Sequence, residues 1–164
     1  PYADWWLLKI DEALDLARRN LAIAADALSA RLMALDDLNI TTARSVTPLR
    51  VPLEFGNPYA FHGARLLSQF DVLARTALTA RHVGEMNHDE SQQLLHQSSR
   101  LMRRTYLSPM GYQVTGTTRE AISEASAQAL RARLRMGALP AAVLEGTSRA
   151  RYAPVRIATV PSTS

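Results

Sequence analysis

From Asp4 to Leu35 apolar residues recur every three or four positions, at Leu7, Ile10, Leu14, Ala17, Leu21, Ala24, Leu28 and Leu35. That spacing draws a narrow stripe down one side of a single long helix, with Asp4 read as its N-cap. A stripe of Leu and Ala needs a helix packed closely against it: an antiparallel hairpin, a pair across a dimer or the core of a monomer all satisfy it. Arg31 interrupts the stripe. Trp5 and Trp6 are adjacent and cannot share a helix face, so at least one reaches a second packed surface, and both are read as structural anchors.

The pattern predicts more helices downstream. Asn57-Pro58 places a capping side chain before a proline at the first helical position, starting a helix that runs to about Val83 and stops at Gly84. Its buried face is Leu66, Leu67, Phe70, Leu73, Ala74, Ala77 and Leu78, and Asp71 and Arg75 form a pair at four-residue spacing. Asn87 with Glu90 reads as a capping box for a third helix to about Leu107, carrying Leu94, Leu95, Leu101, Met102 and Tyr106 inward and ended by Pro109. Thr117 with Glu120 opens a helix to about Met136, closed by Gly137, and Pro140 begins a short turn of helix ending at Gly146.

Between the first two helices, Thr47 to Phe55 alternates. Leu49, Val51, Leu53 and Phe55 point one way and Pro48, Arg50, Pro52 and Glu54 the other, the period of a half-buried strand. Pro48 and Pro52 remove donors from the same edge, so the strand can pair on one side only. No second strand is evident in the chain, and the expected partner is the same segment of a second copy, with Leu49, Val51, Leu53 and Phe55 as the dimer interface. Strand, helix, helix is the order of the ribbon-helix-helix DNA-binding fold.

Composition bounds the function. In 164 residues, 47% are apolar and 21% charged, enough for one sizeable core and too apolar for general disorder. The absence of cysteine excludes disulfides, thiolate nucleophiles and Cys-containing zinc sites. No stretch approaches the roughly 20 apolar residues of a membrane span, and the first residues lack the pattern of a signal peptide, so a soluble cytoplasmic protein is expected. The chain opens on Pro1 rather than Met, so a preceding segment is expected. His82, His88 and His96 lack metal-ligand spacing and are read as surface or capping residues. Glycine-rich phosphate loops, nucleophile elbows and EF-hands are missing from the sequence, and neither enzyme activity nor a cofactor, metal or small-molecule substrate is expected.

Charge is unevenly spread. Residues 1–40 sum to −3, 41–90 to zero and 91–164 to +7. A basic half favours an anionic partner such as nucleic acid, because neutralising phosphates releases condensed counterions. Eighteen of the nineteen bases are Arg, which suits bidentate phosphate or guanine contacts but equally follows from a GC-rich genome. Arg100, Arg103 and Arg104 share one helix face near a C-terminus, where the helix dipole also welcomes cations. Arg149 and Arg151 lie in a basic extended tail over 147–164. Arg50, centred on the outward strand face, is the expected base or phosphate reader, with Arg44 contacting backbone.

The segments PYADWWLLKIDEALD, VPLEFGNPYAFHGARLLSQFDVLARTALTARHVG and ALPAAVLEGTSRARYAP resemble a family encoded on integrating conjugative elements and related plasmids, grouped with the AcaB-like transcriptional regulators. The resemblance runs from Pro1 to about Pro154. It implies a homodimeric ribbon-helix-helix regulator that binds promoter DNA and switches on transfer genes; members usually carry a further N-terminal segment. The expected architecture is mainly α with one short β-strand: an N-terminal helical element over 1–38, a strand-plus-helices core over 44–146 and the tail. The expected partners are double-stranded DNA and a second copy. The alternative is a non-enzymatic scaffold or accessory protein of the conjugation machinery that docks through its basic half.

Overall fold

Helices make up every regular element among the residues described by a computed structural model of the chain, namely 1–35, 40–42, 46–47, 52 and 54–155. They are α1 (Tyr2–Met33), α2 (Pro58–His82), α3 (His88–Leu107), α4 (Arg119–Ser123), α5 (Ala127–Met136) and α6 (Ala141–Glu145), with a 3-10 turn over Ser108–Gly111. Among the described residues there is no strand and no sheet, which overturns the expected β-strand and, with it, the ribbon-helix-helix fold and the pairing of that strand across a homodimer. Leu49, Arg50, Val51 and Leu53 lie outside the described residues, whereas Pro52, Glu54 and Phe55 carry no ladder. Alternation measures only extended backbone, and proline keeps a chain extended with no partner. A strand additionally needs a ladder, which prolines interrupt. Phe55, still 39% exposed, packs instead on α2, meeting Phe61 edge-to-face with ring centroids 5.7 Å apart. It thereby staples the approach to the helix two residues before the cap, much as a hydrophobic staple does one residue before it.

The chain divides into two units, one from Ile10 to Gly111 and the other formed by Pro1–Lys9 with the chain from Tyr112 onward. In the Ile10–Gly111 unit, α2 and α3 form a hairpin around the turn at 83–87. α1 lies antiparallel to α3: the Ala13 carbonyl accepts from Thr105 near the end of α3, and Arg31 donates to the carbonyl of Glu85 just ahead of its start. The core is Leu14, Ala17, Leu21 and Leu28 of α1 against Leu66, Leu73, Ala77 and Ala80 of α2, with Met86 and Met102. Ala17, Ala77 and Ala80 are fully enclosed, so the backbones approach closely where the seam is alanine. Asn57 caps α2 by accepting from Ala60 N–H at 2.9 Å, and Asn87 and Glu90 complete both halves of the capping box on α3. The interruption of the stripe at Arg31 is explained by its partner: besides the carbonyl, it faces the Glu85 carboxylate at 3.9 Å.

In the other unit, the first turns of α1 supply an aromatic cluster. Tyr2, Ala132 and Met136 are buried among Trp5, Trp6, Tyr112, Ile122 and Leu139. Trp5 lies along Gly137, and Trp6 meets Tyr112 at 6.4 Å. Lys9 sets its ammonium 3.6 Å from the Trp5 centroid and 4.4 Å from that of Trp6, covering both rings with one cation. The single helix expected between Thr117 and Met136 is two. Thr118 caps α4 by accepting from Ala121 N–H, the chain turns through Ala125 at φ +50°, and Ser126 caps α5 by accepting from Ala129 N–H. Thr117 is buried and donates its hydroxyl to the Thr115 carbonyl instead of capping.

Candidate nucleic-acid interface

On α3 the buried residues Ser91, Ser98, Met102 and Thr105 define the inner face, and Arg100, Arg103 and Arg104 project from the opposite one. All three are exposed, and none has an ion-pair partner among the described residues. Arg104 alone lies in the last turn, where the helix dipole accounts for a cation. Arg100 is a full turn earlier. Arg18, Arg31 and Arg75, by contrast, each face a carboxylate, of Asp15, Glu85 and Asp71 respectively.

The C-terminal arginines differ between themselves. Arg149 is half-buried in an ion pair within its own unit, its Nη2 lying 3.6 Å from Asp4 Oδ1, and it donates to the Pro154 carbonyl at 2.6 Å. Ala150 beside it is buried, and Arg151 is exposed at a turn. Arg44 and Arg50 lie outside the described residues. Of the seven arginines read from the sequence, the fold gathers Arg100, Arg103 and Arg104 on one face and turns Arg149 inward.

Asp4 is the reason for that inward turn. α1 begins at Tyr2, so Asp4 sits inside the first turn rather than at the cap, and its carboxylate accepts from Arg119 Nη2 at 2.7 Å. Arg119 also donates through Nε to the Leu144 carbonyl at 2.9 Å and through Nη2 to that of Val143 at 3.2 Å, tying α4, α6 and the start of α1 together. Burial alone would raise the Asp4 carboxyl, but the Arg119 hydrogen bond and the charges of Arg149 and Arg119 outweigh it and hold the group below the ordinary carboxylate range. Tyr2 moves the other way, pushed up by burial against the opposing charge of Arg133, and donates to the Gly137 carbonyl at 3.1 Å.

Three further arginines, Arg131, Arg133 and Arg135, stand exposed on α5 with no ion-pair partner among the described residues. The signal for them was present in the sequence: no acid separates Glu124 from Glu145, so nothing on that helix can pair them. The described residues contain no cluster of His, Asp or Glu able to hold a metal ion, and none of their helices is long and apolar enough to cross a membrane.

Comparison with known proteins places this surface in context. No curated protein and no solved structure matches the chain. A family model described as Transcriptional regulator AcaB matches residues 1–156, nearly the whole length. By a match of that extent, the chain belongs to the AcaB family of transcriptional regulators.

Proposed function

We propose that the protein regulates transcription by binding duplex DNA directly, with the outward row of α3 as a contact to the phosphate backbone and conjugative-transfer genes of a mobile element as its targets. The observation that carries the reading is the α3 row itself. Arg100, Arg103 and Arg104 are exposed, share one face and have no acid among the described residues to satisfy them. Arginine's planar fork matches phosphate oxygens, and each phosphate neutralised releases counterions. A helix face can follow a groove edge while the core-facing side stays packed. The choice of target genes rests on the sequence blocks that resemble proteins of conjugative elements.

Fluorescence anisotropy with a random-sequence duplex across a salt series tests it. Binding should weaken with a log-log slope of about −0.9 per phosphate contacted, and R100A/R103A/R104A should flatten that slope by about 1 to 3. A wild-type protein with no salt-dependent affinity for duplex would move the function to the scaffold alternative. An unchanged slope in the triple variant would remove α3 from the interface.

A further inference from the structure

We propose that a concavity between α5 and the turn at Thr115–Thr117 is a binding site for a phosphate group, with Arg131 and Arg135 as its cationic ligands and the Thr115 hydroxyl and Gln128 side chain as its polar walls. The assignment of that phosphate to the DNA backbone rests on the function proposed above.

Gln128, Arg131 and Arg135 are spaced three and four apart on α5 and so share one face. Thr115 and buried Ala132 line it with them, and the concavity, open to solvent, has a volume of about 340 Å³, ample for a phosphate group. Among the described residues, the lining contains no carboxylate.

The two sides are fixed to each other. Gln128 donates to the Thr115 carbonyl at 3.2 Å across the concavity, and within the turn Thr117 N–H donates to the Thr115 hydroxyl oxygen at 3.3 Å. Gly116 permits this approach: it sits at φ +63°, and a Cβ there would stand 3.1 Å from Gln128 Nε2. The turn is thus held against the helix before any ligand arrives, so an anion entering would not have to order it.

Charge supplies the direction. Like charges four apart on a helix repel, and Arg131 and Arg135 have no ion-pair partner among the described residues to relieve the repulsion. Arg135 lies in the last turn of α5, where the helix dipole favours it, but Arg131 lies a turn earlier and gains nothing there. A phosphate between the two guanidiniums satisfies both, through charge-assisted hydrogen bonds that their planar donors are shaped to make.

The test uses the full chain and R131Q/R135Q, whose side chains are exposed and outside the core. Inorganic phosphate, titrated at constant ionic strength, should shift the Gln128 side-chain amide NMR signals saturably in wild type and not in the variant. In the duplex salt series, R131Q/R135Q should flatten the slope by about 1 if both guanidiniums hold one phosphate. The site is overturned if phosphate leaves the Gln128 amide unmoved, or moves it equally in both proteins. A saturable shift with an unchanged duplex slope overturns the assignment to DNA and leaves a free-phosphate site. A saturable shift in a protein that binds no duplex at all supports the site while removing the DNA-binding function.

Discussion

Replacing Asp4 by Ala removes the carboxylate around which Arg119 and Arg149 converge, and its cost follows from the geometry. The lost Arg119 bond is 2.7 Å long, between side chains only 26% and 15% exposed, so it counts as a charge-assisted hydrogen bond of about 1.5–3 kcal/mol. The Arg149 contact at 3.6 Å is looser and adds at most about 1 kcal/mol. Arg119 keeps the Leu144 and Val143 carbonyls, which holds the loss below the roughly 3–5 kcal/mol of a stranded buried charge. A destabilisation of about 2 kcal/mol is expected at pH 7. Urea denaturation followed by tryptophan emission reads it in the right place, since both tryptophans, Trp5 and Trp6, lie in the unit that holds Asp4. The pH dependence has a definite sign. The folded carboxyl titrates below its unfolded value of about 3.9, so its stabilisation is complete above that value and disappears as pH falls through the lower folded one. The gap between wild type and variant should therefore be constant from neutral pH to about pH 5 and close in stronger acid. Equal stability at pH 7, or a gap that persists undiminished in acid, would refute the reasoning.

Three more outcomes are expected in the Ile10–Gly111 unit. Leu73→Ala empties a fully enclosed position and should cost about 2–5 kcal/mol, read by far-UV circular dichroism during denaturation. Asn87→Ala removes the cap of α3 and should cost about 1 kcal/mol and speed amide exchange in its first turn; unchanged exchange would deny the capping box its role. Tyr106→Phe removes a hydrogen bond donated to the Gly63 carbonyl at 2.8 Å and should cost about 1 kcal/mol by the same denaturation assay.

The long helices were legible because their signals are local. The Leu14–Ala17–Leu21–Leu28 stripe, the Asn57 cap and the Asn87–Glu90 box each follow from spacing alone, and each is found. Finer burial was less so. Leu67 was expected inside α2 but is 56% exposed and lines a cleft beside Tyr59 and Tyr106, while Thr76 and Thr79 are buried. These threonines satisfy their own hydroxyls by donating to Val72 and Arg75 carbonyls a turn back, which lets a polar residue take an inner position unannounced by hydrophobicity. The break between α4 and α5 was hidden because Ala125 offers no glycine to mark its positive φ. The strand failed for another reason: a ladder is a relation between two segments, and periodicity describes only one. For the candidate interface, composition announced a basic half, but which arginines are free to act depended on contacts over a hundred residues apart, such as Arg119 and Arg149 with Asp4.

The unit that joins Pro1–Lys9 to the chain beyond Tyr112 has a consequence for synthesis. Translation delivers Tyr2, Trp5 and Trp6 well before their cover, Ala132 and Met136. At about 5–20 residues per second, the three rings wait for about 5 to 25 s, during which the intervening helices can already close their own core. The nascent chain therefore carries Tyr2, Trp5 and Trp6 without this cover while the Ile10–Gly111 unit is already complete. The residues that cover these rings emerge more than a hundred positions after them.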